Sequence, residues 1–89
     1  MTLVKWFQRR KARKFIKESF KTVNLFIHEC SASAIGELIK AYQELLDDYR
    51  AEYGDDDIYL YYLGRLEYFK LIKCWKERQE YFERGIIEE

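Results

Sequence analysis

Proline is absent from this chain of 89 residues, and glycine occurs only at Gly36, Gly54, Gly64 and Gly85. Long stretches therefore lack the residues that most strongly interrupt a helix, and helix is the expected state. Cysteine is confined to Cys30 and Cys74, far apart and in no CxxC pair. That argues against a zinc site and against a secreted disulfide scaffold, and a reducing, cytoplasmic setting fits best. The single histidine, His28, excludes an HExxH motif. The trio His28, Glu29 and Cys30 would need converging residues from elsewhere to hold a metal or act as a nucleophile. No apolar run approaches the ~18 residues of a membrane span, and no apolar run of about 7–15 residues follows the basic start as in a signal peptide. Gly-rich phosphate loops, Gly-x-Ser-x-Gly elbows and paired carboxylates in an apolar setting are missing as well. The chain is accordingly expected to be no enzyme, with no cofactor, no metal and no small-molecule substrate.

Hydrophobic residues make up 48% of the chain and charged residues 36%, enough apolar content for one packed core. A chain this short is expected to form a single helical domain over residues 1–89. Its 16 basic and 16 acidic residues cancel, yet they are sorted along the sequence. Residues 1–24 carry eight basic side chains (Lys5, Arg9, Arg10, Lys11, Arg13, Lys14, Lys17 and Lys21) against Glu18 alone, and the remainder carries eight basic and fifteen acidic. Such a chain either packs its basic helix beside acidic ones or offers it to an anionic partner.

Apolar periodicity predicts three helices, at about residues 8–30, 33–53 and 57–84, and hence an all-α domain: a bundle, or a helical hairpin with a packed third helix. In the first, Ala12, Phe15, Ile16, Ser19, Phe20, Val23, Phe26, Ile27 and Cys30 fall in one sector opposite the basic residues. Leu3, Trp6 and Phe7 break that pattern, so either the helix starts or kinks near Gln8 or an aromatic patch sits on a basic face. Ser31–Ser33 supply a helix N-cap. The second helix has a stripe of Ile35, Leu38, Ile39, Tyr42, Leu45, Leu46, Tyr49 and Tyr53. Gly54 suits its end, and Asp55, Asp56 and Asp57 suit the positive start of the third helix. They lack the alternating spacing of a calcium loop.

The third helix is apolar nearly all round in its first half. Ile58, Tyr61, Tyr62, Phe69 and Ile72 form one face; Leu60, Leu63, Leu66 and Leu71 fill much of the rest, and Gly64 permits a close helix crossing. The second half, with Trp75, Gln79, Phe82 and Ile86 among charges, reads as one-sided packing. Three helices do not bury the first half completely, so Leu60, Leu63 and Leu71 are expected to meet a second subunit or another partner.

The segment Trp6-Phe7-Gln8-Arg9-Arg10-Lys11-Ala12-Arg13-Lys14 locally resembles the recognition-helix motif of homeodomains, which joins Trp-Phe, Gln and a basic run. It lacks the asparagine which that family places between the glutamine and the arginines, and neither fold nor residue roles carry over. Independently of the likeness, Lys5, Trp6, Arg9, Arg10, Arg13, Lys14, Lys17 and Lys21 form a candidate surface for nucleic acid or another anionic partner. The alternative is a solvated basic face that neutralises acidic residues such as Asp47 and Asp48. The leading expectation is a non-catalytic interaction or regulatory protein that binds another protein and forms a homo-oligomer. Nucleic-acid binding through residues 5–21 is the alternative function, and an anionic membrane surface is the least favoured partner.

Overall fold

The computed structural model describes residues 3–83, which form three long helices and no strand. Helix α1 spans Leu3–Phe26, a short 3-10 helix follows at Ile27–Glu29, α2 spans Ala32–Tyr53 and α3 spans Asp57–Glu83. The domain is all-α, as the periodicity requires. Together the helices measure 65 × 20 × 16 Å.

Local chemistry sets each boundary. The Ser31 side chain accepts a hydrogen bond from the Ala34 N–H at 3.2 Å, the N-cap that frees α2 from the preceding turn. Glu80 of α3 adds a second acceptor for that terminus, 2.9 Å from the Ala32 N–H. At the far end Gly54 adopts φ +80°, where a side chain is strained, and its N–H closes on the Arg50 carbonyl at 2.8 Å. Asp56 then caps α3 by accepting from the Tyr59 N–H at 3.0 Å. These contacts fold α2 and α3 into an antiparallel hairpin. Helix α1 returns along it antiparallel to α2, tied by the Tyr42 hydroxyl donating to the Ser19 carbonyl (2.9 Å) and by Arg65 donating to the Asn24 side chain (2.8 Å).

The core joins one stripe from each helix: Ile16, Phe20 and Val23, then Ile35, Leu46 and Tyr49, then Ile58, Tyr59, Leu66, Phe69 and Ile72. Phe20 sits at the centre, with ring centroids 4.6 Å from Tyr42, 4.6 Å from Tyr62 and 5.8 Å from Phe69. Every residue of the expected α2 stripe is buried or half-buried.

The first and third helices correct the sequence reading in several places. No break occurs at Gln8: α1 starts at Leu3 rather than residue 8, so the aromatic residues do lie on a basic face. Its last turn tightens to 3-10 geometry at Ile27, and Phe15 and Phe26, assigned to the apolar sector, are exposed. In α3 the buried face centres on Leu66 and includes Tyr59, whereas Tyr61 points to solvent. Trp75 and Phe82 do not pack on one side against the domain; they are 79% and 58% exposed. Ile86 and residue 84 lie outside the described residues. Gly64 makes no close crossing within the chain, because a Cβ placed there meets nothing within 4 Å. Gly64→Ala is therefore expected to raise the stability of the isolated domain by about 0.5–1 kcal/mol, readable as a higher urea midpoint, through reduced unfolded-state entropy and better helix propensity.

Candidate interaction surfaces

The basic residues of α1 divide into two sets with different surroundings. On a helix of 3.6 residues per turn, Arg9 and Arg13 lie beside Ile16 and Phe20 at the inner edge. They reach the turn between α2 and α3. The Arg9 guanidinium meets the Asp56 carboxylate at 2.7 Å; Arg13 lies 3.2 Å from Asp56 and makes two parallel bonds to Asp57, at 3.0 and 3.1 Å. Asp56 also accepts from the Tyr49 hydroxyl, so one carboxylate serves both α1 arginines, α2 and the cap of α3. Arg50 pairs with Asp55 at 2.7 Å.

The electrostatics follow from this convergence. Burial alone would push the Asp56 carboxyl up, but bonds from Tyr49, the Tyr59 N–H and Arg9 outweigh it and lower its pKa from 3.8 to about 2. Hydrogen bonding from Arg13 lowers Asp57 as well. The same bonds raise Arg9 and Arg13, and burial followed by the hydrogen bond to Asp56 raises the Tyr49 hydroxyl. The acidic residues expected to receive the basic helix, Asp47 and Asp48, are instead exposed, and Asp47 accepts only from Gln43 at 3.0 Å. Of the three aspartates at the turn, read from sequence as caps, Asp56 and Asp57 also tie α1 to it, whereas Asp55 pairs within the hairpin.

The second set faces solvent. Arg10, Lys14, Lys17 and Lys21 recur at helical spacing along the outer face of α1, with Lys11 at its flank, and all are exposed. Toward the N-terminus the same helix carries Trp6 and Phe7, each about half exposed and packed edge to face with centroids 4.9 Å apart. The Arg10 guanidinium lies 5.4 Å over the Trp6 ring. Trp6, Arg9, Arg10 and Arg13 surround a hollow of about 320 Å³. Lys5 is exposed and makes an interaction of its own. Of the eight residues singled out for an anionic partner, Arg9 and Arg13 are thus tied to aspartates, while Trp6, Arg10, Lys14, Lys17 and Lys21 share an open side of the helix.

The third surface is the back of α3. Tyr61, Gly64, Tyr68, Leu71, Trp75, Arg78 and Phe82 follow a three-four repeat, and all are exposed. This is the seam pattern of a coiled coil. Leu60 flanks it, also exposed, whereas Leu63, named with it from sequence, is half-buried against the core. Beside the seam, His28, Tyr68, Leu71, Ile72 and Trp75 border a smaller hollow of about 210 Å³. The signal for this face was present in the sequence as a seven-residue repeat, masked by the equally apolar buried stripe on the same helix.

Cys30 is half-buried, Cys74 is exposed, and both are free thiols. The described residues contain no group of three or more His, Cys, Asp or Glu side chains placed to hold a metal, and none of their helices is long and apolar enough to cross a membrane. No protein-family model, curated protein or solved structure matches this chain.

Proposed function

We propose that this chain is a non-catalytic binding protein that engages another protein helix along the outer face of α3, with a second copy of itself as the first partner. The observation that carries the reading is the exposed three-four repeat from Tyr61 to Phe82. A helix already packed on one side has no folding reason to repeat apolar residues on the other. Leu60, Tyr61, Tyr68, Leu71, Trp75 and Phe82 are between 41% and 79% exposed. At ~150–250 Å² per aromatic side chain they present roughly 800 Å², about what one partner contributes to a standard interface.

The pattern also favours an orientation. In an antiparallel pair centred on Leu71, Tyr68 meets Trp75 of the second copy, Tyr61 meets Phe82, and the long Arg78 side chain lies over the bare Gly64. A parallel pair sets Arg78 against Arg78, a like-charge contact that disfavours it. Light scattering coupled to size exclusion tests the reading. The expected mass at tens of micromolar is that of a dimer, and Leu71→Asp, at a position 64% exposed in the single chain, returns it to monomer with helicity intact. A monomer mass for the unaltered protein at high micromolar concentration sinks self-association. Leu63→Asp is the wrong probe, because it injures the core as well.

A further inference from the structure

The outer face of α1 carries a second binding surface of a different kind, independent of the α3 face. We infer that it binds single-stranded nucleic acid, with Arg10, Lys14, Lys17 and Lys21 holding the phosphodiester backbone and Trp6 and Phe7 stacking on an unpaired base at one end.

Three features of the helix support this assignment. The first is charge without internal use. The turn aspartates take up Arg9 and Arg13, while Arg10, Lys11, Lys14, Lys17 and Lys21 are in no ion pair of the described residues. The four in line span residues 10–21, about 16 Å at 1.5 Å per residue. Steps of three and four residues put successive cations roughly 5–6 Å apart, a continuous track for a polyanion. Only Glu18 interrupts the sign of this face.

The second feature is the aromatic pair continuous with that track. Trp6 and Phe7 are 46% and 50% exposed, too far out to serve the core. Arg10 lies on one face of the indole, and the hollow of about 320 Å³ beside it is edged by three arginines. A cationic track with aromatic platforms suits a single strand, whose bases are free to stack. A duplex hides its base faces and leaves the aromatic pair unused.

The third feature separates this partner from an anionic membrane. A helix that lies in a bilayer buries a continuous apolar face. That face of α1 is already in the core, as Ile16, Phe20 and Val23, and the outward strip between residues 10 and 21 is cationic.

Fluorescence anisotropy with the whole 89-residue chain and a labelled oligothymidylate of about 20 nucleotides is the test. With about four phosphates neutralised, affinity should fall roughly 50-fold between 50 and 200 mM salt. Lys14→Ala with Lys17→Ala should weaken binding and flatten the salt dependence, while Lys14→Arg with Lys17→Arg retains both. Neither pair should change helicity or the thermal midpoint, because both lysines are exposed and in no ion pair of the described residues. Trp6→Ala should cost roughly tenfold on the single strand and leave binding to a duplex of equal length unchanged. Absence of binding at 50 mM salt overturns the inference, as does equal affinity for strand and duplex, or preference for phosphatidylserine vesicles over the oligonucleotide. Loss of dimerisation in Leu71→Asp leaves this inference standing, since the two faces lie on different helices.

Discussion

Phe20→Ala is expected to lower the unfolding free energy by about 3–5 kcal/mol, the range for truncating a fully buried phenylalanine. Three aromatic rings, one on α2 and two on α3, close on Phe20 within 6 Å, and the residue is fully buried. Truncation opens a cavity where all three helices meet, and none of the surrounding rings is free to fill it. The effect is magnified by how α1 is held. Apart from Phe20, its attachment includes Ala12, Ile16, Val23, the bonds at Ser19 and Asn24, and the arginine contacts at the turn. A domain of this size loses about 4–8 °C of midpoint per kcal/mol, so Tm should fall by roughly 15–30 °C in a circular-dichroism melt. A drop of only a few degrees would mean that α1 contributes little to the cooperative unit and that the hairpin of α2 and α3 carries the fold.

How much of this was legible in the sequence depends on which physical signal each feature has. Helix α2 was read completely because its apolar stripe, its serine cap and its terminal glycine all point the same way. Helix α3 was read correctly as helix but not as to its faces. Two apolar stripes share one element, and periodicity alone cannot tell Leu66, fully buried, from Leu71, exposed. The assignment depends on which stripe meets α2, a tertiary fact. The start of α1 is undecided in the sequence for the opposite reason. Leu3, Trp6 and Phe7 fit either a start or kink near Gln8 or an aromatic patch on a basic face, and only the continuous helix from Leu3, with these residues on the solvent side, decides for the second. The pairing of Arg9 and Arg13 with Asp56 and Asp57 left only a faint trace. Both arginines sit four residues apart beside the apolar sector, and three aspartates cluster at a turn. Linking them requires knowing that α1 runs antiparallel to α2 and so returns to that turn.

Asp56 is the position where that link is tested most directly, because two substitutions separate its roles. Asn caps a helix about as well as Asp, so Asp56→Asn retains the bond from the Tyr59 N–H at one oxygen and replaces the other, which accepts from Arg9, Arg13 and Tyr49, by an uncharged NH2 that cannot accept. Arg9 then loses its counter-ion while Arg13 keeps Asp57, and Arg9 already holds a buried Nε with no acceptor. The expected cost is about 2 kcal/mol, consistent with charge-assisted hydrogen bonds of ~1.5–3 kcal/mol each, less what water recovers at partly exposed groups. Asp56→Ala removes the cap as well and should cost about 1 kcal/mol more. The pH dependence carries the sign of a lowered carboxyl. With a folded pKa of about 2 against 3.8, the charge contribution is fully present above pH ~4 and disappears as the pH falls through 2. Urea unfolding of both proteins at intervals from pH 6.5 to pH 2 measures it. The stability gap between the unaltered protein and Asp56→Asn should hold steady down to about pH 4 and narrow by about 2 kcal/mol below it. A gap that stays constant to pH 2 would show that the carboxylate gains nothing from its arginines, leaving the cap as its only contribution and α1 held by its core packing, the bonds at Ser19 and Asn24 and the pair of Arg13 with Asp57.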